Sequence, residues 1–261
     1  ESGAGATMLT AIFDDPTGYG RVVRDATGNF VSVVEHRDAT EVELDIQEVN
    51  AGVYIFDYEL IKSALARIGT HNAANEKYLT DALGEIAKSG SIVKALPVRD
   101  NWLVAGVNTR VQLQQVSAEL NRRICEGWMM AGVTIMDPNT TFIDITAVIG
   151  EDVTLLPGTS LKGITKVGAG STVGPEVSIH DSVIGENCSI KRADINGSVV
   201  EDGASVGPYS YLRPGTHLGT DGKIGTFVET KNAKIGAGTK IPHLSYVGDA
   251  TIGEHTNIGA G

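Results

Sequence analysis

The chain has 261 residues, 41% of them apolar, with 32 acidic and 21 basic side chains and a net charge of −11. That balance offers no electrostatic footprint for nucleic acid or an anionic membrane, and its ordinary consequence is solubility. No stretch approaches the length of about 18 apolar residues that a spanning helix needs. The two cysteines, Cys125 and Cys188, have no metal or redox spacing, which fits inert thiols in a reducing compartment.

Taken in chain order, residues 1 to about 107 read as mixed α/β. Thr7–Phe13 is predicted as a strand closed by Asp14-Asp15-Pro16-Thr17-Gly18. Arg21–Arg24 and Phe30–Val34 are predicted to pair as a hairpin, and Glu48–Phe56 forms another strand. Asp57 is placed to cap a helix over Tyr58–Arg67, with Leu60, Ala64 and Ile68 on one face. A second helix is expected over Asn75–Lys88, stopped by Gly90. Ile92–Val98 and Trp102–Val107 read as further strands. From Thr109 to Met130, Leu113, Val116, Leu120 and Ile124 recur at helical spacing, which predicts a long helix connecting two unlike sequence textures.

From Gly132 the sequence repeats every six residues: Ile149, Leu155, Leu161, Val167, Val173 and Ile179, then Val200, Val206, Leu212, Leu218 and Ile224, then Ile235, Ile241 and Val247. This is the signature of a hexapeptide-repeat β-helix of about six and a half coils. Three hexads make one triangular coil, and Gly, Asn and Asp supply corner conformations with positive φ. The spacing says nothing of handedness, for which the general rule on parallel crossovers is right-handed.

Register singles out Arg213 and Lys231, which lie 18 residues apart and so on one edge of adjacent coils. Stacked like charges are unfavourable unless an anion lies between them, and a substrate phosphate is the simplest one. The alternative is that both splay into solvent or find carboxylates such as Glu229. The five-residue step from Thr230 to Ile235 carries Asp249 out of that ladder. His243 and Tyr246 follow within the next coil and a half, and imidazole is the side chain suited to take a proton near neutral pH. Asn257 ends the following coil and is expected to reach the same region. The four repeat-domain histidines, His180, His217, His243 and His255, include no pair 18 apart, so the spacing argues against a zinc triad. In the first part, Gly20 lies in a polar loop, Glu35 ends an apolar strand, Asn50 precedes Ala51-Gly52, and Asn108 precedes the long helix. Each alone suits a turn or cap better than a ligand contact.

Together these residues resemble the bacterial bifunctional family of N-acetylglucosamine-1-phosphate uridyltransferase/glucosamine-1-phosphate acetyltransferases. The matching stretches are Asp14–Arg21, Val34–Thr40, Glu48–Gly52, Gly106–Arg110, Tyr211–Gly215, Phe227–Lys231, His243–Asp249 and Asn257–Gly261. The resemblance implies that residues 1–108 are the C-terminal part of a uridyltransferase (pyrophosphorylase) domain with a partial Rossmann-like α/β fold. Residues 109–131 would be a linker helix, and 132–261 an incomplete left-handed β-helix acetyltransferase domain. It further implies that Gly20, Glu35, Asn50 and Asn108 bind the uridyltransferase substrate, with Asn108 also a Mg²⁺ ligand. Arg213, Lys231, Tyr246 and Asn257 would hold glucosamine 1-phosphate, with His243 as the catalytic base. Acetyl-CoA and UTP are the implied co-substrates, UDP-N-acetylglucosamine the product, a homotrimer the assembly and the cytoplasm the location.

In that family a Gly-rich nucleotide loop and a metal-binding Asp would precede Glu1, and further coils would follow Gly261. The 261 residues alone are therefore expected to lack both activities. Two rival readings survive at the level of the residues: a non-catalytic β-helix that binds or displays a sugar phosphate, and a nucleotidyltransferase whose β-helix is only structural.

Overall fold

The computed structural model describes residues 3–259. The opening Glu1-Ser2 and the closing Ala260-Gly261 of the last quoted motif lie outside the described residues. The chain divides into two compact units, Glu1–Val116 and Ser117–Gly261. The division falls inside the long helix.

The first unit is a five-stranded mixed sheet. Its strands are β1 (Ala6–Ile12), β2 (Arg21–Arg24), β3 (Phe30–Val34), β4 (Glu48–Phe56) and β5 (Val93–Pro97), in the order β3-β2-β4-β1-β5. β2 and β3 form the expected hairpin; β4 runs antiparallel to β1, and β5 parallel to it. Three helices accompany the sheet: α1 (Glu41–Leu44), α2 (Tyr58–Leu65) and α3 (Leu79–Lys88). Asp57 caps α2 by accepting from the Leu60 N–H at 3.0 Å. Met8, Val22, Val33, Ala64, Leu83 and Ile86 are buried in one core.

Three local expectations are corrected. The helix expected from Asn75 begins at Leu79, because Asn72 instead closes a side-chain turn on the Ala74 and Glu76 N–H groups at 3.2 and 3.1 Å. Asn75 itself takes a positive φ of 53°. The strand expected over Trp102–Val107 is a 3₁₀ turn at Asn101–Val104, opened by Asp100 accepting from the Trp102 N–H. The helix α1 was not anticipated, although Thr40 and Glu43 write its capping box.

Arg24 and Glu48 form a two-point ion pair between β2 and β4. The guanidinium meets both carboxylate oxygens at 2.6 Å, and the Thr10 hydroxyl donates to Glu48 at 2.6 Å as well. Burial pushes the Glu48 pKa up, but the Arg24 and Thr10 bonds outweigh it, and the net shift is downward from 4.5.

The fourth helix, α4 (Arg110–Met130), buries only Cys125. Leu113 and Leu120, expected on a packed face, are about half exposed. Within the second unit its C-terminal half closes the first coil. There Cys125, Ile124 and Trp128 join the solenoid core, and Asn121 donates to the Thr141 carbonyl at 2.8 Å. This is the capping a solenoid end requires.

The repeat folds as a left-handed parallel solenoid, with three walls of seven strands each. Wall A runs from Phe142–Ile143 to Tyr246–Gly248, wall B from Val148–Ile149 to Thr251–Ile252, and wall C from Thr134–Ile135 to Lys240–His243. The aliphatic residue of each hexad points inward: Leu155, Leu161, Val173, Ile179, Leu212 and Leu218 are fully buried. Each full burial of such a side chain contributes about 1.5–3 kcal/mol. The sequence reading missed a second interior position, filled by small residues: Ala, Val or Cys in some coils, such as Val153, Cys188 and Ala204, and Ser or Thr in others. Thr159, Thr165, Ser171 and Thr239 are buried and donate to backbone carbonyls at 2.6–2.9 Å. A hydroxyl there saves the narrow corner from an unpaired carbonyl. At another corner the coils approach so closely that a Cβ on Gly219 would stand 2.7 Å from the Ala237 nitrogen.

Two outcomes are expected. Protonating Glu48 removes an interaction present only in the folded state. Its contribution is complete above about pH 4.5 and is lost as the pH falls through the lowered folded value. Glu48→Gln should therefore cost roughly 2–3 kcal/mol at neutral pH, less than a fully buried pair because Arg24 keeps 30% of its side chain exposed. It should also flatten the acid limb of urea-measured stability; an unchanged limb would assign that limb to other carboxylates. Gly219→Ala should cost about 2 kcal/mol or more, whereas Gly253→Ala, with nothing within 4 Å of its Cβ position, should stay within about 0.5 kcal/mol.

Candidate functional site

Two groups of the sequence-selected residues are assembled, one in each unit. In the first unit the hairpin and β4 bring Gly20, Glu35 and Asn50 together. The Asn50 N–H donates to the Gly20 carbonyl at 2.9 Å. Both Glu35 carboxylate oxygens lie 3.2 Å from where a Gly20 Cβ would stand, so glycine is what admits the carboxylate. Glu35 accepts from the Thr80 hydroxyl at 3.2 Å. The Asn50 amide and the Tyr54 hydroxyl exchange bonds of 2.7 and 3.0 Å. Burial and the nearby Glu35 charge raise the Tyr54 pKa, despite the opposing Asn50 bond.

Tyr54 and Thr80 were missed in the sequence. Tyr54 carries a signal, four residues after Asn50 on one face of the strand. Thr80 carries none, because helix packing alone brings it 45 residues back to Glu35.

Asn108 is exposed at the start of α4. Gln112 accepts from the Asn108 and Thr109 N–H groups at 2.8 and 2.9 Å, and the Thr109 hydroxyl oxygen accepts from the Gln112 N–H at 3.2 Å. This capping box fixes the backbone at Asn108. Its amide contributes one neutral oxygen, a fit for one ligand of Mg²⁺, an ion that takes most of its coordination from waters and substrate phosphates.

In the second unit Arg213 and Lys231 follow paired residues on adjacent strands of wall A. Leu212 lies beside Thr230, and the Arg213 N–H donates to the Thr230 carbonyl at 2.9 Å. The two cations therefore share one column on consecutive coils, about 4.8 Å apart in backbone. Arg213 reaches the Glu229 carboxylate at 2.9 Å, which is the carboxylate alternative read from the sequence. The bond to Glu229 raises the Arg213 pKa, against burial. Among the described residues, Lys231 has no carboxylate within ion-pair distance. Above it stands Gly248, not Asp249, in agreement with the expected register shift. The Tyr246 ring leans over Gly248 and fills its side-chain place. Arg213, Lys231 and the Tyr246 phenol thus form one column at the surface, with Arg213 half-buried and Glu229 alongside.

His243 and Asn257 lie elsewhere. His243 ends wall C, level with Thr226, and the chain turns onto wall A at Leu244, whose φ is 48°. Asn257 is on wall C in the column of Lys240, three positions along from that of His243. Within one chain, then, the imidazole stands one corner away from the cation column, and Asn257 stands farther.

Among the described residues, no three of His, Cys, Asp and Glu are grouped to hold a metal ion, and no helix is long and apolar enough to cross a membrane. Cys125 and Cys188 are buried, and burial pushes both thiols up.

No family model matches the chain. Over 255 residues it is 57% identical to the bifunctional protein GlmU of Clavibacter sepedonicus, covering 98% of this chain and 52% of that protein. The GlmU of Kineococcus radiotolerans is 53% identical over 258 residues, again covering 52% of that protein. A Mycobacterium GlmU (strain KMS) is 52% identical over 257 residues, with 52% of its length covered. Among solved structures, LpxA from Bacteroides fragilis, a UDP-N-acetylglucosamine acyltransferase, aligns at 15% identity and a TM-score of 0.40, over 48% of this chain and 67% of that one. The chain spans about half the length of the curated relatives it matches. Over the stretch shared with them, it belongs to the family of bifunctional GlmU proteins.

Proposed function

We propose that the protein carrying this chain makes UDP-N-acetylglucosamine in two steps, as a cytoplasmic enzyme that supplies peptidoglycan and cell-wall synthesis. The solenoid, residues 132–261, would acetylate glucosamine 1-phosphate from acetyl-CoA. Residues 1–108, as part of a Rossmann-like nucleotidyltransferase domain, would contribute to uridylyl transfer from UTP to N-acetylglucosamine 1-phosphate. Residues 109–131 would link the two.

The observation that carries this reading is the column of Arg213 and Lys231 on consecutive coils, with the Tyr246 phenol above them. A phosphate between the two cations would replace Glu229 as the partner of Arg213. Anchored there, the substrate amine is held for attack on the thioester carbonyl, an orientation effect that supplies several kcal/mol. The nitrogen–carbon bond forms as the amine proton passes to the His243 imidazole. The carbon–sulfur bond then breaks, and the departing thiolate takes up a proton. The corner between His243 and wall A, and the placement of Asn257 on wall C, favour a site completed by neighbouring copies, hence a homotrimer.

In the first unit, Gly20, Glu35 and Asn50 would seat the sugar. The Glu35 and Asn50 groups offer acceptors and a donor for hydroxyls and an N-acetyl group. Asn108 would supply one oxygen to Mg²⁺, which when bound offsets the charge of the nucleotide and sugar phosphates.

The test uses the full-length protein. His243→Ala should lower acetyl transfer by about 10²–10⁴-fold while glucosamine 1-phosphate still binds. Lys231→Ala should raise KM for that substrate by about tenfold or more, as loss of a charge-assisted bond does. Unchanged acetyl transfer in His243→Ala would remove the imidazole from the mechanism. A wild-type protein that transfers uridylyl but not acetyl groups would make the solenoid structural, and one with neither activity would favour a sugar-phosphate display role.

A further inference from the structure

We infer that Tyr19 is a positioning residue for uridylyl transfer, its hydroxyl clasping the Gly106 peptide so that the Gly20 turn and Asn108 keep one separation. The inference rests on the proposed uridylyl transfer and on the placement of Gly20 and Asn108 in it. The Tyr19 hydroxyl accepts from the Gly106 N–H at 3.0 Å and donates to the Gly106 carbonyl at 3.3 Å. Both capacities of one phenol are thus spent on one residue, 87 positions along the chain. Gly106 permits the approach, since a Cβ there would stand 3.3 Å from the phenol oxygen, tighter than ordinary contact.

Both ends of the clasp are anchored. On one side the Tyr19 carbonyl accepts from Arg21, which is 2% exposed and also reaches the Leu44 carbonyl and His36 Nδ1. The next residue, Gly20, is held by Asn50. The Tyr19 ring packs on Phe13 with centroids 5.1 Å apart. On the other side, Asn108 follows Gly106 by two residues and enters the Thr109–Gln112 capping box at once. Few freely rotating bonds remain between the phenol and the Asn108 backbone. A buried cation, a phenol and a helix cap thereby connect the sugar seat to the residue proposed to meet the metal.

Tyr19→Phe in the full-length protein keeps the ring and removes both bonds. Hydrogen exchange at the Gly106 amide should quicken about tenfold, the change expected for one lost hydrogen bond. The Mg²⁺ concentration for half-maximal uridylyl transfer should rise about tenfold and kcat should fall. KM for N-acetylglucosamine 1-phosphate should move less than about twofold, because the sugar seat keeps its own bonds. A merely structural role would lower the melting midpoint without this selective change in Mg²⁺ dependence. Gly106→Ala provides a second variant, displacing the phenol from the opposite side, and the same Mg²⁺ phenotype is expected. Unchanged Gly106 exchange would overturn the clasp. Faster exchange with unchanged Mg²⁺ dependence would leave the clasp structural and overturn the positioning role. A wild-type protein without uridylyl transfer would overturn the reading beneath it and the positioning role together.

Discussion

The solenoid depends on one constraint: each inward aliphatic side chain must sit directly above its counterpart in the coil below. Leu161 lies beside Ile179, Ile179 beside Ile195, Ile195 beside Leu212, and Leu212 beside Thr230. A slip by one residue would turn every inward side chain to solvent, so the register is strongly held. Outward residues are thereby set in columns as fixed as the core. Arg213 and Lys231 stack because the residues before them are buried, not because two cations attract.

That constraint also explains how the cations are paired. Wall A presses Arg213 and Lys231 together, and Glu229, one column over, takes up the Arg213 charge. The pair is only half-buried and carries little stability of its own. Its loss would therefore cost the fold little. Lys231, left without a carboxylate among the described residues, is the more available of the two.

The first unit organises its polar groups differently. Its sheet supplies the frame, and the groups are held by individual hydrogen bonds: Asn50 to Gly20, Asn50 with Tyr54, Thr80 to Glu35, and Tyr19 with Gly106. Arg21 ties the start of the hairpin to His36 and Leu44, and the Arg24–Glu48 pair ties it to β4. Apart from the Asn50–Tyr54 pair within β4, no spacing rule governs these contacts, because they join segments whose separation along the chain is arbitrary.

Legibility in the sequence follows the same divide. The hexad period specifies the solenoid, its inward residues and the Arg213–Lys231 column, because a repeating coil converts sequence distance directly into position. The hairpin, β4 and the Asp57 cap were also legible, since each rests on neighbours in the chain. The late start of α3 and the 3₁₀ turn at Asn101–Val104 were not, because the side-chain turns of Asn72 and Asp100 outcompeted the pattern. Nor were the buried Ser and Thr ladder, the end-capping role of Cys125 and Trp128, or the partners Tyr54 and Thr80. The sequence by itself determined which residues share a wall. Only the tertiary structure decided which of them touch across a corner or between turns, because those contacts depend on chain direction and packing rather than on a period.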